Sequence, residues 1–223
     1  PMMLGVGKQM PEVRDIKGKH YIIPIEAHGI KVLSIGFLVD DRQAIVWRGP
    51  MVTSALKQFV TDVIWGKLDY LVIDMPPGTG DVHLTMVQTV QVTGAVVVTT
   101  PQAVSLIDAK KAMGMFTMPK INVPVLGVVE NMSYFTPEDA LDKKYYIFGK
   151  DGGKELAVAY DVPFLGEIPL KESVRAGGDQ GTPAFTQDDE KLITAFKQIA
   201  EKVAQNIAIH NSKQEIVNES NQN

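Results

Sequence analysis

The residues best suited to chemistry in this chain are gathered in one stretch, Tyr70-Leu-Val-Ile-Asp74 followed by Met-Pro-Pro-Gly-Thr-Gly-Asp81. An apolar run of this kind suits a central parallel strand buried on both faces. Asp74 would then emerge at its carboxyl end, where open α/β sheets bind ligands. A carboxylate in that place can hold Mg²⁺, usually through water, beside a triphosphate. Gly78 and Gly80, with Thr79 between them, let backbone N–H groups approach a γ-phosphate more closely than side chains would allow. Asp81 can cap the helix that follows. The bland reading of the same string is a buried strand ending in a capping Asp and a Pro-Pro-Gly turn. The full string is more specific than an apolar run plus Asp alone.

The string Asp74-Met-Pro-Pro-Gly-Thr-Gly-Asp81 resembles the Mrp/ApbC branch of the MinD/ParA-like P-loop ATPases, the branch of iron–sulfur cluster carriers. Ile30-Lys-Val-Leu-Ser-Ile-Gly-Phe37, Val46-Trp-Arg-Gly-Pro-Met51, Asn122-Val-Pro-Val-Leu-Gly-Val-Val-Glu-Asn-Met-Ser-Tyr134 and Phe164-Leu-Gly-Glu-Ile-Pro-Leu170 look like further signatures of that family. They stand in the family's order, and the likeness covers roughly residues 1–185. It implies a doubly wound, mostly parallel α/β sheet, with ATP and Mg²⁺ as cofactors. The implied reaction is ATP hydrolysis coupled to assembly or transfer of iron–sulfur clusters. A homodimer and recipient apo-proteins or assembly proteins are the implied partners. Under the resemblance Asp74 positions Mg²⁺ and its waters, the Gly78–Gly80 amides sense the γ-phosphate, and Asn131 hydrogen-bonds adenine. Glu167-Ile-Pro-Leu170 resembles the loop beside the base, with Pro169 and Leu170 as its contacts. From chemistry alone Asn131 also reads as an Asn closing its own turn, and a strand ending in Ile-Pro is common punctuation.

Two departures from the family pattern matter. Such ATPases carry a Gly-rich P-loop with its Lys after the first strand, and nothing here matches it. Gly5-Val-Gly-Lys8 is a decoy, since Gln9 stands where Ser or Thr should bind Mg²⁺ and Met10-Pro-Glu-Val breaks the helix that should follow. The chain therefore reads as a fragment lacking the P-loop unit, expected not to hydrolyse ATP by itself. The second departure is the 135–148 insertion, where typical carriers place a Cys-x-x-Cys pair. Here it reads Phe135-Thr-Pro-Glu-Asp-Ala-Leu-Asp-Lys-Lys-Tyr-Tyr-Ile-Phe148, with no thiol. The chain supplies no iron–sulfur ligands, because clusters are held chiefly by thiolates. Glu138, Asp139 and Asp142 could coordinate a hard cation, although a solvated acidic turn explains them as well. A MinD/ParA-type positioning ATPase and a non-catalytic adaptor on the same fold are the competing classes.

Composition narrows the field. The chain has 223 residues, no cysteine and a net charge of −4, with a pI near 5.6. It can build a core without disulfides. The charge argues against a broad nucleic-acid surface, and no apolar run is long enough to span a membrane. With no signal-peptide pattern, the cytoplasm is the default expectation. His20, His28, His83 and His210 have no zinc-ligand spacing; His83, two residues past Asp81, could lie near a nucleotide, with an ordinary helix-surface position the expected one. The methionines are expected to pack. Arg48, just before a helix, could face phosphate, a partner subunit or solvent.

The elements that must position these residues alternate. Strands are predicted at Tyr21–Ile25, Lys31–Val39, Leu71–Asp74, Ala95–Thr99, Val125–Val129 and Phe164–Ile168. Helices are predicted over residues 50–65, near 82–91, 103–116 and 152–160, and in a last amphipathic stretch marked by Leu192, Phe196, Ile199, Val203 and Ile207. One domain over 1–208 is expected, followed by a disordered polar tail over 209–223.

Overall fold

A computed structural model describes residues 1–37, 49–76, 78–140 and 142–220. Where the sequence suggests one domain, the chain divides into two compact units. The first comprises residues 1–91 and 172–187, and the second residues 92–171 and 188–223.

The first unit opens with two antiparallel hairpins, β1 (Glu12–Ile16) with β2 (Lys19–Ile23), and β3 (Ile25–Ala27) with β4 (Ile30–Val32). Each is closed by a two-residue turn, Lys17-Gly18 and His28-Gly29, in which both residues have positive φ. That left-handed pair matches the twist of flanking strands, and glycine at the second position makes it accessible. The sequence pattern merges this region into two longer strands and misses β1, whose five residues are all exposed and carry no core-facing alternation. The later part of the predicted 31–39 strand is a 3₁₀ turn at Ile35–Phe37, and residues 38 and 39 lie outside the described residues. Val6, Ile25 and Phe37 form a small core with Leu4, Ala27, Val32 and Leu33. Helices α1 (Gly49–Thr61) and α2 (Asp81–Thr89) pack together, and α5 (Glu172–Gln180), absent from the sequence reading, lies against the Met2–Leu4 turn.

The second unit is the α/β part. Strands β5 (Ala95–Thr99), β6 (Val125–Asn131) and β7 (Phe164–Ile168) form a parallel sheet in the order β5-β6-β7. Crossovers run through α3 (Ala103–Phe116) and α4 (Gly152–Ala159). Val97 and Val128 face these helices and share a core with Ala109, Met113, Leu156 and Ala157. Helix α6 (Glu190–Ser220) packs on β7 and β6. Ile199 sits where a side chain on Gly166 would be, Lys202 donates to the Leu165 carbonyl at 2.8 Å, and Asn206 donates to the Leu126 carbonyl at 2.8 Å. These contacts give the sheet helices on both faces, as doubly wound folds require. Helix α6 continues past residue 208 to Ser220, where the sequence reading places a disordered tail. Its polar residues form helical neighbours without burial: Ser212 donates to the Ala208 carbonyl, and Gln214 meets His210 one turn away.

Candidate functional site

The residues singled out above fall into two groups, one in each unit. In the first unit, Leu71–Asp74 is not a laddered strand: the segment pairs with no strand among the described residues, and Val72 is 89% exposed. This corrects the expectation of a buried central strand. An apolar segment becomes a sheet strand only where neighbours complete its hydrogen bonds, and among the described residues it has none. Asp74 is exposed at the end of this segment. After it come Gly78 at φ +100° and the exposed Thr79 and Gly80. Pro77 lies outside the described residues.

Helix α2 begins at once, with Gly80 as its N-cap and Asp81 as its first helical residue. Gly80, which has no side chain to cap with, holds the N-cap position that the sequence reading gives to Asp81. The Gly80 carbonyl accepts the His83 N–H at 3.1 Å, and a helix start leaves its other first amides for a ligand or solvent. A side chain built on Gly78 or Gly80 would meet nothing within 4 Å, so the space above the turn is open. The site combines an exposed carboxylate, a turn that favours glycine and the positive end of a nine-residue helix.

His83 departs from expectation. It is 7% exposed, on the same face as Met86 one turn later, and not on the helix surface. Burial pushes its pKa below the usual histidine range. The ring Nδ1 is buried without a partner. Its spacing from Met86 on the inward side of the helix was the available signal.

In the second unit, the ends of β6 and β7 bring Asn131 beside Ile168 in register. The pairing extends beyond the strands. Ser133 N–H donates to the Ile168 carbonyl at 3.0 Å, and Leu170 N–H donates to the Tyr134 carbonyl at 2.8 Å. Pro169 is buried and Leu170 half-buried, so Asn131, Pro169 and Leu170 lie at one carboxyl edge of the sheet. The Asn131 Oδ1 accepts the Met132 N–H at 3.0 Å, and Met132 turns the chain at φ +54°. The side chain therefore closes its own turn and is held in one orientation by it.

Glu130, which the sequence reading passed over, is 1% exposed. One carboxylate oxygen accepts the Gly153 N–H at 2.6 Å, at the start of α4. Burial raises its pKa above the ordinary carboxylate value, with smaller contributions from Glu167 and Asp151; the bonds from Gly153 and Ser133 oppose the rise. A charged residue closing the apolar run Val125–Val129 was the signal in the sequence.

The 135–148 insertion is pinned by reciprocal backbone hydrogen bonds between Phe135 and Tyr145, both 2.8 Å. Lys144 lies over the Tyr134 ring. Among the described residues no group of three or more His, Cys, Asp or Glu side chains could hold a metal ion, and Glu138, Asp139 and Asp142 converge on none. Among those residues, too, no helix is long and apolar enough to cross a membrane. Arg48 lies outside the described residues.

The family model described as ParA, NUBPL iron-transfer P-loop NTPase, matches residues 1–204. The iron–sulfur cluster carrier protein of Synechocystis is 47% identical over 209 residues, covering 92% of this chain and 59% of the relative. That of Escherichia coli K12 is 49% identical over 205 residues, covering 92% of this chain and 54% of the relative. The chain thus spans between half and three-fifths of the length of these curated relatives. Among solved structures, a nucleotide-binding protein of Archaeoglobus fulgidus in complex with ADP, with Co, is 35% identical with a TM-score of 0.67. The match covers 82% of this chain and 68% of that one.

Proposed function

Because this chain belongs to the ParA family of NUBPL-type iron-transfer P-loop NTPases, we propose that the full-length protein is an ATP-hydrolysing iron–sulfur cluster carrier. The observation that carries the ATPase part is the open Asp74–Gly80 turn leading into the N-terminus of α2. Backbone amides at this helix start face a developing negative charge without reorganisation, which is how phosphoryl transfer is stabilised electrostatically. Asp74 fits a Mg²⁺ site, being an exposed carboxylate beside that turn; when bound, the ion would neutralise charge on the triphosphate. A P-loop Lys would come from residues other than those of this chain. The protein works as a homodimer that passes clusters to recipient apo-proteins. The test is ATP turnover by the full-length protein, together with transfer of a preloaded cluster to an apo-ferredoxin. No ATP-dependent phosphate release above background would remove the ATPase reading, and no transfer would remove the carrier reading.

Asn131 is assigned to the base. Its orientation is fixed by the Met132 N–H, so an adenine would meet a preset amide. Asn131→Ala in the full-length protein should weaken ATP binding and lower discrimination against GTP by about 1–3 kcal/mol, through loss of a polar partner. Competition titrations with ATP and GTP check this; an unchanged preference would reject the assignment.

The cluster is cargo, and the residues of this chain do not fit it. The chain has no cysteine, and carboxylates and imidazoles are poor substitutes for four thiolates. The 223-residue chain reconstituted anaerobically with iron and sulfide should hold no stable cluster. Iron and sulfide analysis with absorption spectroscopy decides it, and a stoichiometric cluster would overturn the expectation. Thiolates for the cargo come from another segment or chain.

A further inference from the structure

Asn131 ends β6 and is followed at once by a turn that residues with a side chain adopt reluctantly. Met132 stands at φ +54°, in the left-handed region, where an L side chain crowds the backbone. It is also exposed, so burial of its side chain does not compensate for that conformation. Hydrogen bonds around the turn must hold it, and Ser133 donates two of them.

Both come from the interior, since Ser133 is 1% exposed. Its Oγ reaches back across Met132 and Asn131 and donates to the Glu130 carbonyl at 3.1 Å. Its N–H donates to the Ile168 carbonyl at 3.0 Å, at the end of β7. The first bond closes the turn on itself. The second fastens it to the strand that leads into Pro169 and Leu170, and the Tyr134 carbonyl continues the pairing by accepting the Leu170 N–H at 2.8 Å. A further bond, from the Met132 N–H to the Asn131 Oδ1, orients the amide. That bond exists only while Met132 keeps its left-handed conformation, so whatever holds the turn also aims Asn131. Ser133→Ala fills nearly the same volume, keeps the N–H bond to Ile168 and removes only the hydroxyl.

We propose that Ser133 is a positioning residue for selection of the base, its buried hydroxyl holding the Glu130–Ser133 turn so that the Asn131 amide is aimed beside Pro169 and Leu170 before nucleotide arrives. The inference rests on the assignment of Asn131 to adenine given above. A residue that aims the base-reading amide acts on nucleotide preference and not on the hydrolytic step.

The test is a double-mutant cycle in the full-length protein, with Ser133→Ala, Asn131→Ala and both together, read by competition titrations with ATP and GTP. Ser133→Ala should lower the preference for ATP over GTP by about 3-fold to 10-fold, the range for one neutral hydrogen bond. Turnover at saturating ATP should stay close to wild type. In the Asn131→Ala background the same change should cost no further preference, because the amide it aims is gone. Additive losses of preference would overturn the proposal. So would a Ser133→Ala loss of affinity equal for ATP and GTP, which is what packing alone would give. A second readout needs no nucleotide: amide hydrogen exchange at Met132 should quicken by about 3-fold to 10-fold in Ser133→Ala. Unchanged exchange would overturn the clamp while leaving the assignment of Asn131 in place. Wild-type preference in Asn131→Ala would instead remove the base assignment, and the role of Ser133 in selection would fall with it.

Discussion

Asp74→Asn in the full-length protein is expected to cut ATP turnover by on the order of 10²-fold or more, the size of loss seen when one preorganised electrostatic contact to a transition state is removed. Asn keeps the shape of the side chain and removes only the charge. Asp74 is exposed and lies outside every strand and helix, so the fold has no stake in that charge. The substitution should leave the melting temperature and the circular dichroism spectrum as they were. Nucleotide binding should weaken less than turnover, because the contact matters most where charge develops. Steady-state phosphate release with both proteins, at saturating ATP and Mg²⁺, measures the effect. Turnover within threefold of wild type would remove Asp74 from the site.

The parts of the fold legible in the sequence are those whose pattern is set by local burial. Ala95–Thr99, Phe164–Ile168 and the helix at 103–116 fall where the periodicity places them, because each has one face against the Val97/Val128 core and turn residues at both ends. Hairpin β1–β2 was not legible for the opposite reason. Its β1 residues are exposed, so neither strand alternation nor an apolar run marks it, and only the Lys17-Gly18 turn hints at it. Leu71–Asp74 shows the converse error. Its residues have the composition of a buried strand, yet strand pairing is a property of neighbours, and among the described residues none pairs with it.

The candidate site was legible where a residue type has few alternatives. An Asp followed by Pro-Pro-Gly-Thr-Gly limits the backbone to a turn, and the structure places that turn at a helix start. Asn131 was singled out by its place at the end of an apolar strand; it ends β6, and its Oδ1 is engaged by the next residue, as the simpler turn reading requires. His83 was placed on a helix surface and Glu130 was passed over, because base rates put histidine and glutamate outside. Both are buried, and for Glu130 the burial is matched by a bond to backbone distant in sequence, which no local pattern announces.

Glu130→Ala should destabilise the second unit by about 2–4 kcal/mol. Helix α4 begins at Gly152 after Asp151, which stands in the left-handed region and makes no side-chain cap bond. The carboxylate of Glu130, reaching over from the end of β6, takes the Gly153 N–H instead. A side chain on Gly153 would come within 3.0 Å of the Glu130 Cβ, so strand end and helix start are in direct contact. Ala leaves a void there and a buried N–H without an acceptor. Glu130→Gln keeps the shape and an acceptor oxygen, and it separates charge from packing. Burial raises the folded-state pKa of Glu130 above its unfolded value. The sign follows: the proton is held more tightly in the folded state, so its contribution is fully present below the unfolded pKa and is lost as pH rises through the folded one. Wild type should therefore lose stability relative to Glu130→Gln between mildly acidic and neutral pH, while Glu130→Ala is the least stable of the three throughout. Urea unfolding of the three proteins across that range measures both effects. A wild-type-to-Gln difference that does not change with pH would show that Glu130 is not held with a raised pKa. An Ala variant as stable as wild type would show that the bond to Gly153 does not anchor α4.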